Sequence, residues 1–159
     1  MPDRPTPFKL TDERDMLVDF LDYVREGVIE KVADLGVEDA IRPSVPSGTS
    51  LLGLVKHLAW VEEFWFTYAY QGIDDPLPAE ELESGDDVET VIGAYRAACE
   101  RSNAVVRGEH DLDVRCAGKG VAPEPMSLRW VLVHLVEETA RHAGHADIIR
   151  EQLDGESGR

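Results

Sequence analysis

Apolar residues recur at intervals of three and four along four stretches of this 159-residue chain, and no stretch shows the alternation of a half-buried strand. The first stretch runs from about Asp12 to Leu35, with Leu17, Val18, Leu21, Val24, Val28 and Val32 on one stripe. Thr11 is its expected N-cap, Asp12 and Glu13 form an acidic first turn, and Gly36 is the stop. Thr49 and Ser50 are candidate caps for a second helix, about Leu51 to Tyr70, ending at Gly72. A third begins near Asp86, where Asp86 and Glu89 have capping-box-like spacing, and reaches about Arg107. Ser127 caps a fourth, which continues to about Leu153 before Gly155. The pattern predicts an all-α fold, a four-helix bundle.

The connections refine this. The segment IDDPLPAEELESG, at about 3.3 Å per extended residue, can travel the length of a bundle. The second and third helices can therefore run parallel, in a bundle that is not simply up-down-up-down. The length suits one domain over residues 1–159, without internal repeats, and the tail Gly155–Arg159 is expected to fray.

Composition narrows the function classes. The hydrophobic fraction of 43% and charged fraction of 30% are those of an ordinary soluble globular protein. A net charge of −16 argues against nucleic acid and against anionic membrane surfaces as partners. The N-terminal MPDRPTPFKL lacks the apolar core of a signal peptide, and no run approaches the roughly 20 apolar residues of a membrane span. The expected location is cytoplasmic. Cys99 and Cys116 lie far apart without metal-ligand spacing and are expected to be reduced, with no chemical role.

The candidate chemistry lies in histidines. Of five, only His110 falls outside the second and fourth helices; the others are His57, His134, His142 and His145. At about 100° per residue, with His134 at 0°, Glu138 lies near ~40°, His142 near ~80° and His145 near ~20°. Leu128, Val131, Leu135, Ile149 and Leu153 cluster around roughly 60–120°. His142 is thus central on the buried face and Glu138 near its edge. His134 and His145 are more peripheral, and Glu137 faces solvent. On the second helix His57 borders the inward face set by Leu54, Leu58, Val61 and Trp65, while Lys56 and Glu63 point away. A lone His57 is most often a hydrogen-bonded core histidine, and Glu138 alone would pair with an arginine such as Arg101 or Arg141. Together they say more. A carboxylate and an imidazole four residues apart, both inward, let one helix supply two metal ligands, and a buried carboxylate needs a positive partner.

The aromatic residues divide similarly. Trp65 and Phe64 fall at core angles, whereas Trp60 and Phe66 face elsewhere and suit another helix, a pocket wall or a second subunit. A homodimer is expected. Arg96, Arg101 and Arg129 read as surface residues rather than as anchors for an acidic cosubstrate.

HLAWVEEFW in the second helix and EETARHAGHADIIRE in the fourth closely resemble the DinB/YfiT-like superfamily, specifically its DUF664 branch. The resemblance spans nearly the whole chain, including the helix lengths and the long second connection. It implies an up-down-down-up bundle, often dimeric, with a divalent metal held by three side chains of the second and fourth helices. Many members use three histidines, the last two as HxxxH. The matching positions here are Glu138 and His142, a departure that is similar to the mycothiol-dependent maleylpyruvate isomerase-type domains. By position, the resemblance carries the ligand role to His57, Glu138 and His142. It leaves His145 as a group behind the ligands or a proton donor. The rival set His57, His134 and His142 is disfavoured, because two turns separate its last two members.

Two imidazoles and one carboxylate leave zinc an open position, as catalytic sites do, although nickel, iron and manganese accept the same ligand types. The implied activity is a zinc-like, metal-dependent S-transferase or isomerase in which the metal activates a low-molecular-weight thiol such as mycothiol toward a small-molecule substrate. Metal-activated hydrolysis and a non-catalytic metal-binding bundle are the alternatives.

Overall fold

The computed structural model describes residues 6–7, 11–122 and 124–156. Part of the N-terminal stretch read above for a signal peptide (1–5 and 8–10) and the end of the tail expected to fray (157–159) lie outside the described residues.

Four long helices form where the apolar stripes predict them, with local corrections at their ends. α1 spans Glu13–Glu30. Its cap is Asp12, not Thr11: Asp12 Oδ1 accepts from the Asp15 amide at 2.9 Å, while the Thr11 hydroxyl donates to the Asp15 side chain. The helix ends five residues before Leu35, and Gly36, with φ −67°, caps a short helix α2 over Val37–Ala40 instead of terminating α1. α3 spans Leu51–Glu62, capped by Ser50, and continues without a break as a π-helical segment, Glu63–Tyr70. α4 spans Val88–Gly108. Its capping box is one residue later than expected, with Asp87 and Thr90 as the reciprocal pair. α5 spans Leu128–Asp154, capped by Ser127 and closed by Gly155 in the left-handed conformation (φ 80°). Glu156, at the start of the tail, pairs with Arg150 at 2.9 Å.

Cross-helix pairs set the directions. Arg129 meets Glu13 at 2.8 Å and Lys31 meets Asp147 at 2.8 Å, so α1 and α5 run parallel. Lys56 meets Asp86 at 2.5 Å and Arg101 meets Glu63 at 2.7 Å, so α3 and α4 also run parallel. Asp22 pairs with Asn103 and Glu26 with Arg96, which makes α1 and α4 antiparallel. The bundle is up-down-down-up, and the long connection after Tyr70 carries the chain back for α4 to begin beside the start of α3. Among the described residues no helix is long and apolar enough to cross a membrane.

The core has two apolar parts. One gathers Val28, Ile29, Leu52, Leu58, Tyr95 and Ile149; the other gathers Leu21, Val61, Phe66, Leu128, Leu132 and Leu135. A polar layer includes Arg25 (2% exposed), Glu62 (1%) and Asn103. Arg25 donates to both Glu62 oxygens at 2.8 and 2.6 Å and to Asn103 Oδ1 at 2.8 Å. Burial opposes the charge on Arg25, but the Glu62 carboxylate more than offsets it.

The aromatic assignment is corrected. Phe66 is buried, at 1% exposure, whereas Phe64 and Trp65 are only half-buried. The cause is the width of the buried face: Leu52, Val55, Ala59 and Glu62, all buried, continue at spacings of three and four to Phe66, a second inward stripe beside the one set by Leu54, Leu58 and Val61. Trp65, though half-buried, does pack against the core. Lys56 does not point away into solvent either. Its ammonium, 12% exposed, is held by Asp86 and Glu83. Glu63 is 16% exposed and tied to Arg101.

Candidate metal centre

α3 and α5 cross with the inward edges of their polar stripes facing each other. That arrangement brings His57 from the middle of α3 to Glu138 and His142 in the middle of α5. One ligand-capable atom from each of the three lies within 4.8 Å of the other two. Glu138 Oε1 is 3.0 Å from His142 Nε2 and 3.8 Å from His57 Nε2. The other Glu138 oxygen contacts the Arg141 guanidinium. The side chains are 28%, 14% and 15% exposed for His57, Glu138 and His142, enough for a small ion to enter but dry enough to strengthen its bonds.

Electrostatics act on two of these groups, Glu138 and His142. Burial, partly offset by the Glu138 hydrogen bond, holds the His142 imidazole below its ordinary pKa. Burial would raise the Glu138 carboxyl, but the His142 hydrogen bond and the charges of His142 and Arg141 together keep it below its ordinary value. At neutral pH the pair is therefore a neutral imidazole and a carboxylate, the forms that bind a cation. Two imidazoles and a carboxylate converging on one point fit a divalent metal in composition and in spacing.

A cleft of about 550 Å³ opens beside the three groups, lined in part by Ser47, Thr49, Ser50, Glu80, His57 and His142. His57 Nδ1, the nitrogen turned away from Glu138, lies 3.0 Å from Glu80 Oε1. Glu80 escapes sequence reasoning because it sits in the irregular, acid-rich connection between Tyr70 and Val88, where no periodicity distinguishes one glutamate from the next.

The other candidates lie around this cluster. His145 is exposed, its ring 5.4 Å from that of His142. His134 packs between Trp65 and Trp130, at ring separations of 4.5 and 5.0 Å, one turn from Glu138. Trp60 stacks between His57 and Phe64, at 6.3 and 5.0 Å. Arg96, Arg101 and Arg129 are engaged with Glu26, Glu63 and Glu13. Both cysteines are free thiols, and burial pushes Cys99 and Cys116 up, away from thiolate.

Among solved structures, a conserved protein of locus from Enterococcus faecalis is similar, with a TM-score of 0.65 at 17% identity, covering 92% of this chain and 100% of that chain. At that identity the likeness speaks for the fold alone. No curated protein matches the chain. A family model described as mycothiol-S-transferase matches residues 16–155, from the first turn of α1 to the glycine that closes α5. The chain therefore belongs to the mycothiol-S-transferase family.

Proposed function

We propose that the protein transfers a low-molecular-weight thiol, mycothiol or a close relative, to an electrophilic small molecule, or isomerises such a substrate through its thiol adduct. In this reading His57 Nε2, His142 Nε2 and Glu138 Oε1 hold a divalent metal, most readily zinc. The convergence of one ligand atom from each of the three residues within 4.8 Å, with both histidines at the wall of a cleft, carries the proposal. A divalent ion bound there would stabilise the cosubstrate sulfur as a thiolate at neutral pH.

The chain's own residues do the rest. Ser47, Thr49 and Ser50 line the cleft with hydroxyls suited to a polar thiol. In this reading the exposed imidazole of His145, its ring 5.4 Å from that of His142, passes the thiol proton to water. The same reading takes the protein as cytoplasmic and as a homodimer pairing through apolar surface such as Trp130 and Val133, 45% and 52% exposed, which light scattering would test by finding twice the chain mass.

Elemental analysis and thiol transfer test the core of the proposal together. The purified chain should carry about one equivalent of metal and transfer mycothiol to a test electrophile, while Glu138→Ala and His57→Ala lose both. Turnover without any thiol would move the activity to hydrolysis. Unfolding on chelation, with no turnover, would make the metal structural.

A further inference from the structure

We infer that Glu80 is a positioning residue of the metal centre: its carboxylate fixes the ring orientation and tautomer of His57, so that Nε2 presents a lone pair toward Glu138 and His142. The inference rests on the metal reading above and assigns a role to a residue of the connecting segment.

An imidazole offers a metal one nitrogen only when the other carries the proton. Which nitrogen does so is decided by what the far side of the ring meets. His57 Nδ1 faces Glu80 Oε1 at 3.0 Å, and a carboxylate can only accept, so the proton sits on Nδ1 and Nε2 is left free. Nε2 is the atom that lies 3.8 Å from Glu138. A ligating histidine backed by a carboxylate is the arrangement that orients the ring and raises its basicity.

The objection is that Glu80 is half exposed, and a surface hydrogen bond is weak when its acceptor is free to wander. The neighbouring residues answer it. Lys56, adjacent to His57 in sequence, holds Asp86 at 2.5 Å and Glu83 at 3.2 Å, and the Glu83 amide donates to Asp86 at 2.8 Å. Leu82 packs on the core beside them. Two consecutive residues of α3 thus grip the same connection, Lys56 through Asp86 and Glu83, His57 through Glu80. The segment is strapped down within three residues of Glu80, so its carboxylate is presented rather than found by chance. His142 contrasts with this. Its Nδ1 is buried without a hydrogen-bond partner among the described residues, and its Nε2 bonds to Glu138 within the cluster, so of the two imidazoles His57 alone is held by a carboxylate behind it.

The experiment uses the full chain and zinc, with wild type, Glu80→Ala, Glu80→Gln and Asp75→Ala, the last removing one charge elsewhere in the connection. Zinc affinity is read by competition with a chromophoric chelator, and the His57 tautomer by nitrogen NMR on metal-free protein. Wild type and Asp75→Ala should show His57 protonated at Nδ1. Glu80→Ala should shift it toward the Nε2–H form and weaken zinc by about 10–100-fold. Glu80→Gln, whose amide oxygen still accepts, should keep the tautomer and fall between. A wild type that binds zinc, with a Glu80→Ala variant that keeps both tautomer and affinity, overturns the role of Glu80 alone. A wild type that binds no zinc overturns the metal reading, and the positioning role with it, whatever the tautomer.

Discussion

Arg150 is 4% exposed, yet its charge is stable because several acceptors surround the guanidinium. It donates to Asp34 at 2.6 and 3.0 Å, to the Lys31 carbonyl at 2.9 Å and to Asp154 at 2.8 Å. The Arg150 hydrogen bond in turn holds the Asp34 carboxyl below its ordinary value. A carboxylate whose folded pKa is depressed stabilises the fold above its unfolded value and loses that contribution as pH falls through the folded one. An unperturbed aspartate titrates near ~3.9, so Asp34→Asn should lower Tm equally at pH 7 and pH 5, and the gap should close below about pH 4. Thermal melts at stepped pH check this; a gap that persists undiminished to about pH 2.5 would remove Asp34 from the account. Individual residues differed in how legible they were beforehand. Glu138 and His142 stood out because their positions on α5 follow from spacing alone. Glu80 did not, since its place depends on how a non-periodic segment is strapped. Arg25 lies on the apolar stripe of α1 between Leu21 and Val28, a visible anomaly, but nothing in α1 says which carboxylate will meet it.

The π-helical end of α3 is the element where local geometry departs most from expectation. Its last carbonyls have no partners within the helix, and the loop after α4 supplies them. The Ala117 amide donates to the Tyr70 carbonyl at 2.8 Å and the Gly118 amide to Ala69 at 2.9 Å. This approach is close enough to require glycine. A Cβ on Gly118 would stand 2.5 Å from the Tyr68 carbonyl oxygen and 2.6 Å from that of Ala69. Gly118→Ala should therefore force the loop off the helix end and destabilise by about 1–3 kcal/mol. Gly93, inside α4 with nothing within 4 Å of a built Cβ, is the opposite case, and Gly93→Ala should stabilise by about 0.5–1 kcal/mol. Urea denaturation of both variants measures the contrast; equal and small effects would show that the loop yields freely. Helix existence was readable from the stripes because period and caps are local. The π winding was not, because a wider turn leaves no mark on a stripe read at a fixed angle. Phe66 was placed on the wrong side for another reason: α3 is buried on two adjacent stripes, and only the one beside His57 was taken as inward.

At the scale of the molecule, the buried layer of Arg25, Glu62 and Asn103 ties α1, α3 and α4 at one level of the bundle. The two apolar parts of the core could tolerate sliding of one helix along another, since leucines and valines pack against one another with little directional demand. The layer does not tolerate it, because Arg25 meets both Glu62 oxygens only at one register. A pair this buried contributes little net stability, but its halves are costly to separate. Glu62→Leu leaves the Arg25 charge, at 2% exposure, with Asp22 at 2.7 Å as its remaining carboxylate partner and should cost about 3 kcal/mol. Arg25→Met together with Glu62→Leu removes both charges, and Asn103 keeps its hydrogen bonds to Asp22 at 3.1 and 3.2 Å. The double variant should therefore recover most of what the single one loses, giving a strongly non-additive cycle in urea. Additive losses would mean that the two residues act independently, and the register of α3, on which the approach of His57 to α5 depends, would have to be set by apolar packing alone.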